Sequence, residues 1–246
     1  MPRYRSPYAS SFSFGPGALS TALKAIIGAN VALFIATTFV PALIPSLGLV
    51  PFAVVRQFHV WQLATYMFLH GGVFHILFNM LALWMFGTEL ERLWGTRNFL
   101  KFYFVCGIGA GVLTVFFSLL PFAFSRQVYE SVVIGASGAI YGLLLAFAMT
   151  YPERPILLII FFVPAKVCVA ILGAIALFSS ISEAGGVANA THLGGLLVAY
   201  LYLKGLRMHP VAEVKYRYLK WKINRVRRKF DVYSGGRADD YDRRVH

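Results

Sequence analysis

The chain has 246 residues, 58% of them hydrophobic and 13% charged, about half the roughly 25% charged usual in soluble domains, and its mean hydropathy is +0.66. This composition excludes a soluble globular domain and predicts a membrane protein. The net charge of +13 is concentrated near the C-terminal end, where residues 215–229 read KYRYLKWKINRVRRK.

In chain order, residues 1–19 are a mixed segment carrying Arg3 and Arg5. Because a bilayer core needs about 20 mostly apolar residues per helix, the runs 22–44, 74–94, 99–122, 132–151, 165–182 and 189–206 predict six spans. The first run is too long for the core of a cleaved signal peptide and is read as a retained signal anchor. The loop at 45–73 is moderately apolar and is expected to dip into the membrane interface. Pro164 and Lys166 interrupt the apolar stretch from Pro155 to Ser180. Residues 156–163 are therefore read as an interfacial segment before a span starting near 165, with one long kinked helix as the alternative. The fold class is all-α, a polytopic bundle over 20–206 followed by a basic tail over 207–246.

Lysines and arginines near span ends set orientation. Arg3, Arg5, Arg92, Arg97, Lys101, Arg154, Lys204 and Arg207 fall on one side, and only Arg56 and Arg126 on the other. Both termini are thus expected in the cytoplasm. In the tail, Val211, Val214, Tyr218 and Trp221 recur at helical spacing, which suits a helix on anionic lipid headgroups rather than on nucleic acid. The final residues, SGGRADDYDRRVH, are expected to be disordered. The two cysteines, Cys106 and Cys168, fall inside spans and are expected to pack as small hydrophobes.

Polar groups at membrane depth carry the chemistry, since each is unfavourable there unless it pairs or lines a wet cavity. HGGVFHILFN supplies His70, His75 and Asn79; GASGAIYG supplies Ser137 and Tyr141; ATHLGG supplies Thr191 and His192. All lie near the starts of even-numbered spans, with Ser137 expected about 8 Å below its helix start. A serine alcohol needs a base within hydrogen-bond reach, and His192 is the candidate. Gly138 and Gly142 form one small-x-x-x-small face, and Gly194 and Gly195 follow His192, which permits the close approach of the fourth and sixth helices that the pairing requires. His75 and Asn79, four apart, share a helix face and can donate to an oxyanion together with the Ser137 amide. Glu89, Glu91, Glu130 and Glu183 lie away from this layer, which favours a Ser-His dyad over a triad. His59, His209 and His246 are given no chemistry. Taken singly, Ser137 also reads as a helix-packing residue, His75 and Asn79 as interhelical glue, and Tyr141 as an ordinary buried aromatic.

At these residues the sequence resembles the rhomboid family of intramembrane serine proteases. GASG at 135–138 is similar to its G-x-S-G motif, His70, His75 and Asn79 to its H-x4-H-x3-N, and His192 to Gly195 to its His-x-x-Gly. The resemblance implies cofactor-free, metal-free hydrolysis of a peptide bond in or near the transmembrane segment of single-pass or polytopic membrane-protein substrates. Ser137 would be nucleophile and His192 general base and acid, with His75, Asn79 and the Ser137 amide as oxyanion hole. His70, Tyr141, Gly135, Gly138, Gly194 and Gly195 would support them. ELERLWG at 89–95 resembles the family's acidic turn, where Glu91 and Arg92 would serve structure. Two departures stand out: Thr191 where alanine is usual, expected to crowd or hydrogen-bond near the base, and Gln62 where many members carry arginine, expected to weaken loop anchoring to headgroups. The expected location is a bacterial inner (plasma) membrane with the site opening outward. The rival readings are a non-catalytic relative that retains transmembrane clients, a zinc hydrolase using His70, His75 and His192, and a transporter. The spacing of the histidines and the absence of HExxH argue against zinc, and polar groups confined to one outer layer argue against transport.

Overall fold

The computed structural model describes residues 17–121, 123–158, 161–181 and 186–207. Arg3, Arg5, Glu183, His209, His246 and the basic tail lie outside the described residues. The chain divides into two compact units after Leu203, and the first unit carries the helical domain and the site.

The first long helix, α1 (Thr21–Phe39), starts where Ser20 accepts the Leu23 amide hydrogen, satisfying a donor that the first helical turn leaves free. A connection of short helices comes next, built from α2 (Leu43–Leu47), α3 (Pro51–Gln57), α4 (Gln62–Thr65) and a 3₁₀ turn at Tyr66–Phe68. Beyond it, α5 (Val73–Ala82) runs through a π-helical turn at Leu83–Gly87 into α6 (Thr88–Trp94). The helix α7 (Thr96–Ser118) precedes the short α8 (Ala123–Glu130) and then α9 (Ser137–Thr150). A two-stranded antiparallel hairpin, β1 (Pro155–Leu158) and β2 (Phe161–Pro164), leads to α10 (Ala165–Ile181) and α11 (Gly186–Arg207).

A helix occupies each of the six apolar runs, and three of them, Thr21–Phe39, Val73–Trp94 and Thr96–Ser118, are long and apolar enough to cross a membrane. The outward side chains are apolar as well: Val31, Ile35 and Phe39 on α1, Leu77 and Leu81 on α5, Ile175 and Phe178 on α10, Leu197 and Leu201 on α11. Apolar surface of that extent faces lipid rather than water. The protein is a helical integral membrane protein.

The core sits on α7 and α9. Phe99, Phe102, Tyr103 and Cys106 of α7 share one buried cluster with Ala139, Leu143 and Phe147 of α9. The glycine face of α9 serves α7 first: a β-carbon at Gly142 would lie 2.8 Å from Cys106, and one at Gly138 would lie 2.9 Å from Ala110. Cys106 and Cys168 are both free and buried. At the other end, Glu91 is buried and accepts hydrogen bonds from the Ser20 and Thr96 hydroxyls, joining α1, α6 and α7.

One sequence expectation requires correction. The fourth helix does not start near 132 but at Ser137. Residues before it are not helical, because Leu49 and Val133 exchange both backbone hydrogen bonds and the Gly135 amide donates to the Tyr66 carbonyl. Ser137 is therefore the first residue of its helix rather than one and a half turns into it. The reading of 156–163 as a segment separate from a helix starting near 165 holds: β1 and β2 pair as a hairpin with Pro155 and Pro164 at its base, α10 starts at Ala165, and the alternative of one long kinked helix does not hold. Neither proline can donate to a ladder, so both sit where the ladder ends. Gln62, named in the sequence for its departure from arginine, turns inward. It is fully buried, accepting from the Val50 amide and donating to the Pro45 and Ser46 carbonyls, so its amide holds the α1–α5 connection from within. Trp61, beside it, is exposed with Phe58 and Val60.

Candidate active site

Ser137 stands at the first position of α9, where amide N–H groups have no intrahelical acceptor. The turn into the helix depends on Gly135, whose φ of +125° is a conformation that L side chains rarely adopt. A β-carbon there would also lie 2.7 Å from His75 Nε2. The smallness of Gly135 thus serves two ends: it makes the bend and lets an imidazole sit against the backbone beside Ser137.

His192 comes from the second turn of α11, and its Nε2 lies 2.8 Å from Ser137 Oγ. A β-carbon at Gly195 would overlap the Gly138 carbonyl oxygen, and one at Gly194 would lie 3.2 Å from the Ala110 backbone. The two glycines after the histidine therefore hold α11 at backbone contact with α9 and α7. Tyr141, one turn after Ser137, stacks on the imidazole with ring centroids 4.3 Å apart and planes 6° from parallel. Among the described residues, His192 Nδ1 has no hydrogen-bond partner, so no carboxylate among them orients the ring.

On α5, the Gly71 amide donates to His75 Nδ1 at 3.3 Å. A neutral imidazole carries one proton, so this bond leaves Nε2 as the protonated donor, the atom that faces Gly135. Asn79 donates one amide hydrogen to the His75 carbonyl, one turn back, at 2.9 Å, and retains a second. His70 is buried with its ring edge-on to His75, centroids 4.9 Å apart. His59 instead stacks on Trp61 in the connection between α1 and α5.

These groups share one cavity of about 360 Å³, lined by Phe74, His75, Phe78, Asn79, Ser137, Ile140, Tyr141 and His192. Its walls are mostly aromatic and aliphatic, and its polar groups include one serine hydroxyl, two imidazoles and one side-chain amide. Such a cavity can hold an apolar backbone segment with its carbonyl between the Ser137 hydroxyl and the donors of His75, Asn79 and the α9 N-terminus. Among the described residues, no three His, Cys, Asp or Glu side chains are grouped to hold a metal ion. The motifs did not point to Phe74 and Phe78, which are exposed on one face of α5 and stacked 6.4 Å apart; their four-residue spacing beside His75 and Asn79 is the signal that could have found them. Leu49, Tyr66 and Thr114 also escape a reading of the sequence, because they act on the site only through tertiary contacts.

The family model described as Rhomboid domain matches residues 57–209, more than half of the chain. The mitochondrial Rhomboid protein 1 of Saccharomyces cerevisiae is 34% identical over 137 residues, covering 55% of this chain and 38% of that protein. Rhomboid protease GluP of Bacillus subtilis is 39% identical over 92 residues, 37% of this chain and 16% of its own length. RHOMBOID-like protein 2 of Arabidopsis thaliana is 29% identical over 181 residues, 74% of this chain and 52% of that protein. The chain spans about half or less of the length of these relatives. The match over most of the helical core, together with the motifs on α5, α9 and α11, establishes that the chain belongs to the rhomboid family.

Proposed function

We propose that the chain is an intramembrane serine endopeptidase that hydrolyses a peptide bond in or near the transmembrane segment of membrane-protein substrates. The observation that carries this reading is the 2.8 Å contact between Ser137 Oγ and His192 Nε2 inside the cavity that also holds His75 and Asn79. Ser137 Oγ attacks the scissile carbonyl carbon as His192 Nε2 takes its proton. The carbonyl oxygen becomes an oxyanion facing the Ser137 amide, His75 Nε2–H and the second Asn79 amide hydrogen. Collapse breaks the C–N bond, and His192 returns the proton to the leaving amine. A water then repeats the sequence on the acyl-serine, losing its proton to His192 and releasing the new carboxyl terminus. Removing one such donor typically slows acyl transfer about 10²–10³-fold.

We place both termini in the cytoplasm and the cavity mouth toward the outer side of a bacterial inner membrane, on the charge asymmetry of the loops. The length of α9 supports a recessed site: 14 residues span about 21 Å, short of a core about 30 Å thick. With its far end at the inner boundary, Ser137 stands about 9 Å inside the outer one. We assign the basic tail to anionic lipid headgroups.

Covalent labelling of the purified, detergent-solubilised protein with a serine-directed fluorophosphonate tests the chemistry, alongside folded Ser137→Ala and His192→Ala variants. Labelling of the wild type that vanishes in both variants is expected. Equal labelling of all three, or none of any, overturns the proposal in favour of a non-catalytic relative that retains transmembrane clients.

A further inference from the structure

One buried polar contact beside the dyad has no part in the proposed chemistry. Thr114 of α7 and Thr191 of α11, 77 positions apart, place their hydroxyl oxygens 2.9 Å from each other, and both residues are buried. Thr114 Oγ1 also lies 2.8 Å from the Ala110 carbonyl oxygen one turn back, so its hydroxyl is held in one orientation. Thr191 directly precedes His192, and its methyl carbon lies 3.2 Å from where a β-carbon on Gly138 would be. One side chain therefore contacts α7 through its hydroxyl and α9 through its methyl, at the residue next to the base.

The small residues around it fix how close α11 comes. Each of their dispersion contacts is weak and has no preferred direction. A hydrogen bond is directional and weakens steeply with misalignment. His192 is one residue on, about 100° round the helix and about 1.5 Å along it. A side-chain tip stands about 6 Å from a helix axis, so a rotation of α11 by about 20° would carry the imidazole about 2 Å, enough to break its contact with Ser137.

We propose that the Thr114–Thr191 hydrogen bond is a positioning device that sets the rotation of α11 on α7, so that His192 meets Ser137. It touches neither substrate nor reacting atoms and acts through His192 alone. The inference rests on the serine-protease reading of the same site, which it deepens.

The test measures the second-order rate of fluorophosphonate labelling, kcat and KM on a transmembrane reporter substrate, and the thermal midpoint in detergent. The proteins are wild type, Thr114→Val, Thr191→Val, the double valine variant, Thr114→Ser and Thr191→Ser. Valine keeps the shape and removes the hydroxyl; serine keeps the hydroxyl and removes the methyl. Each valine variant is expected to label about tenfold more slowly, with kcat reduced alike and KM unchanged. The double variant is expected to be no slower than either single one, because the same bond is lost, and the serine variants are expected to label at close to the wild-type rate. Wild-type labelling accompanied by an unchanged Thr191→Val rate would overturn this inference while leaving the protease reading intact. So would additive losses that track the thermal midpoint and are not rescued by serine. Absence of wild-type labelling would sink both.

Discussion

His75 Nε2 lies 2.7 Å from the point where a β-carbon on Gly135 would stand, at a residue whose φ of +125° already disfavours any side chain. The imidazole of one helix therefore rests on the backbone that leads into another, and the glycine of the GASG motif is required by a neighbour as much as by its own turn. Gly135→Ala is expected to displace His75 and to store about 1–3 kcal/mol of backbone strain. Fluorophosphonate labelling should fall at least tenfold, with a lowered thermal midpoint. Wild-type labelling in this variant would show that His75 is not held where the geometry puts it.

The donors on α5 should matter to kcat and not to KM, because they meet an oxygen that becomes charged only in the transition state. His75→Ala and Asn79→Ala are each expected to lower kcat for a transmembrane reporter about 10²-fold. A rise in KM at constant kcat would instead make them substrate-binding groups.

Helix approach gives a third prediction. A β-carbon at Gly195 would overlap the Gly138 carbonyl, so Gly195→Ala must drive α11 away from α9 and part His192 from Ser137. Labelling should be abolished. A β-carbon added at Gly28 of α1 would meet no atom within 4 Å, and Gly28→Ala should leave labelling intact while adding up to about 1 kcal/mol of helix stability. The pair separates loss of helix contact from the general effect of adding a methyl group.

Gln62 offers a test far from the chemistry. Its side chain meets one backbone amide and two carbonyls, and Gln62→Ala strands them in a buried loop, at about 1–3 kcal/mol. The thermal midpoint should drop by several degrees. Because Leu49 of the same loop pairs with Val133, labelling of Ser137 should weaken too. An unchanged midpoint would mean that water replaces the amide without loss.

The helices of the membrane domain were legible because burying a backbone in hydrocarbon demands about 20 apolar residues in succession, a signal that survives without knowledge of neighbours. Shorter elements escaped it. The residues at 132–136 are as apolar as a helix requires, yet they are not helical, because Leu49 takes the hydrogen bonds of Val133 and Tyr66, also distant in sequence, that of Gly135. The same cause moved Ser137 to the first helical position and freed its amide.

At the site, residue types and their spacing named Ser137, His192, His75 and Asn79, since four-residue spacing on a helix and a serine among glycines are local features. The partners of those residues were not local. Nothing near Gln62 says that it turns inward, and nothing near Thr191 names Thr114. By itself, the sequence determined that the chain enters a membrane as apolar helices and which side chains carry reactive groups, because hydrophobic length and helical period are properties of contiguous residues. The tertiary structure alone decided where α9 begins and how α7, α9 and α11 close to bring Ser137 and His192 together, because those outcomes depend on hydrogen bonds and backbone contacts between segments far apart in the chain.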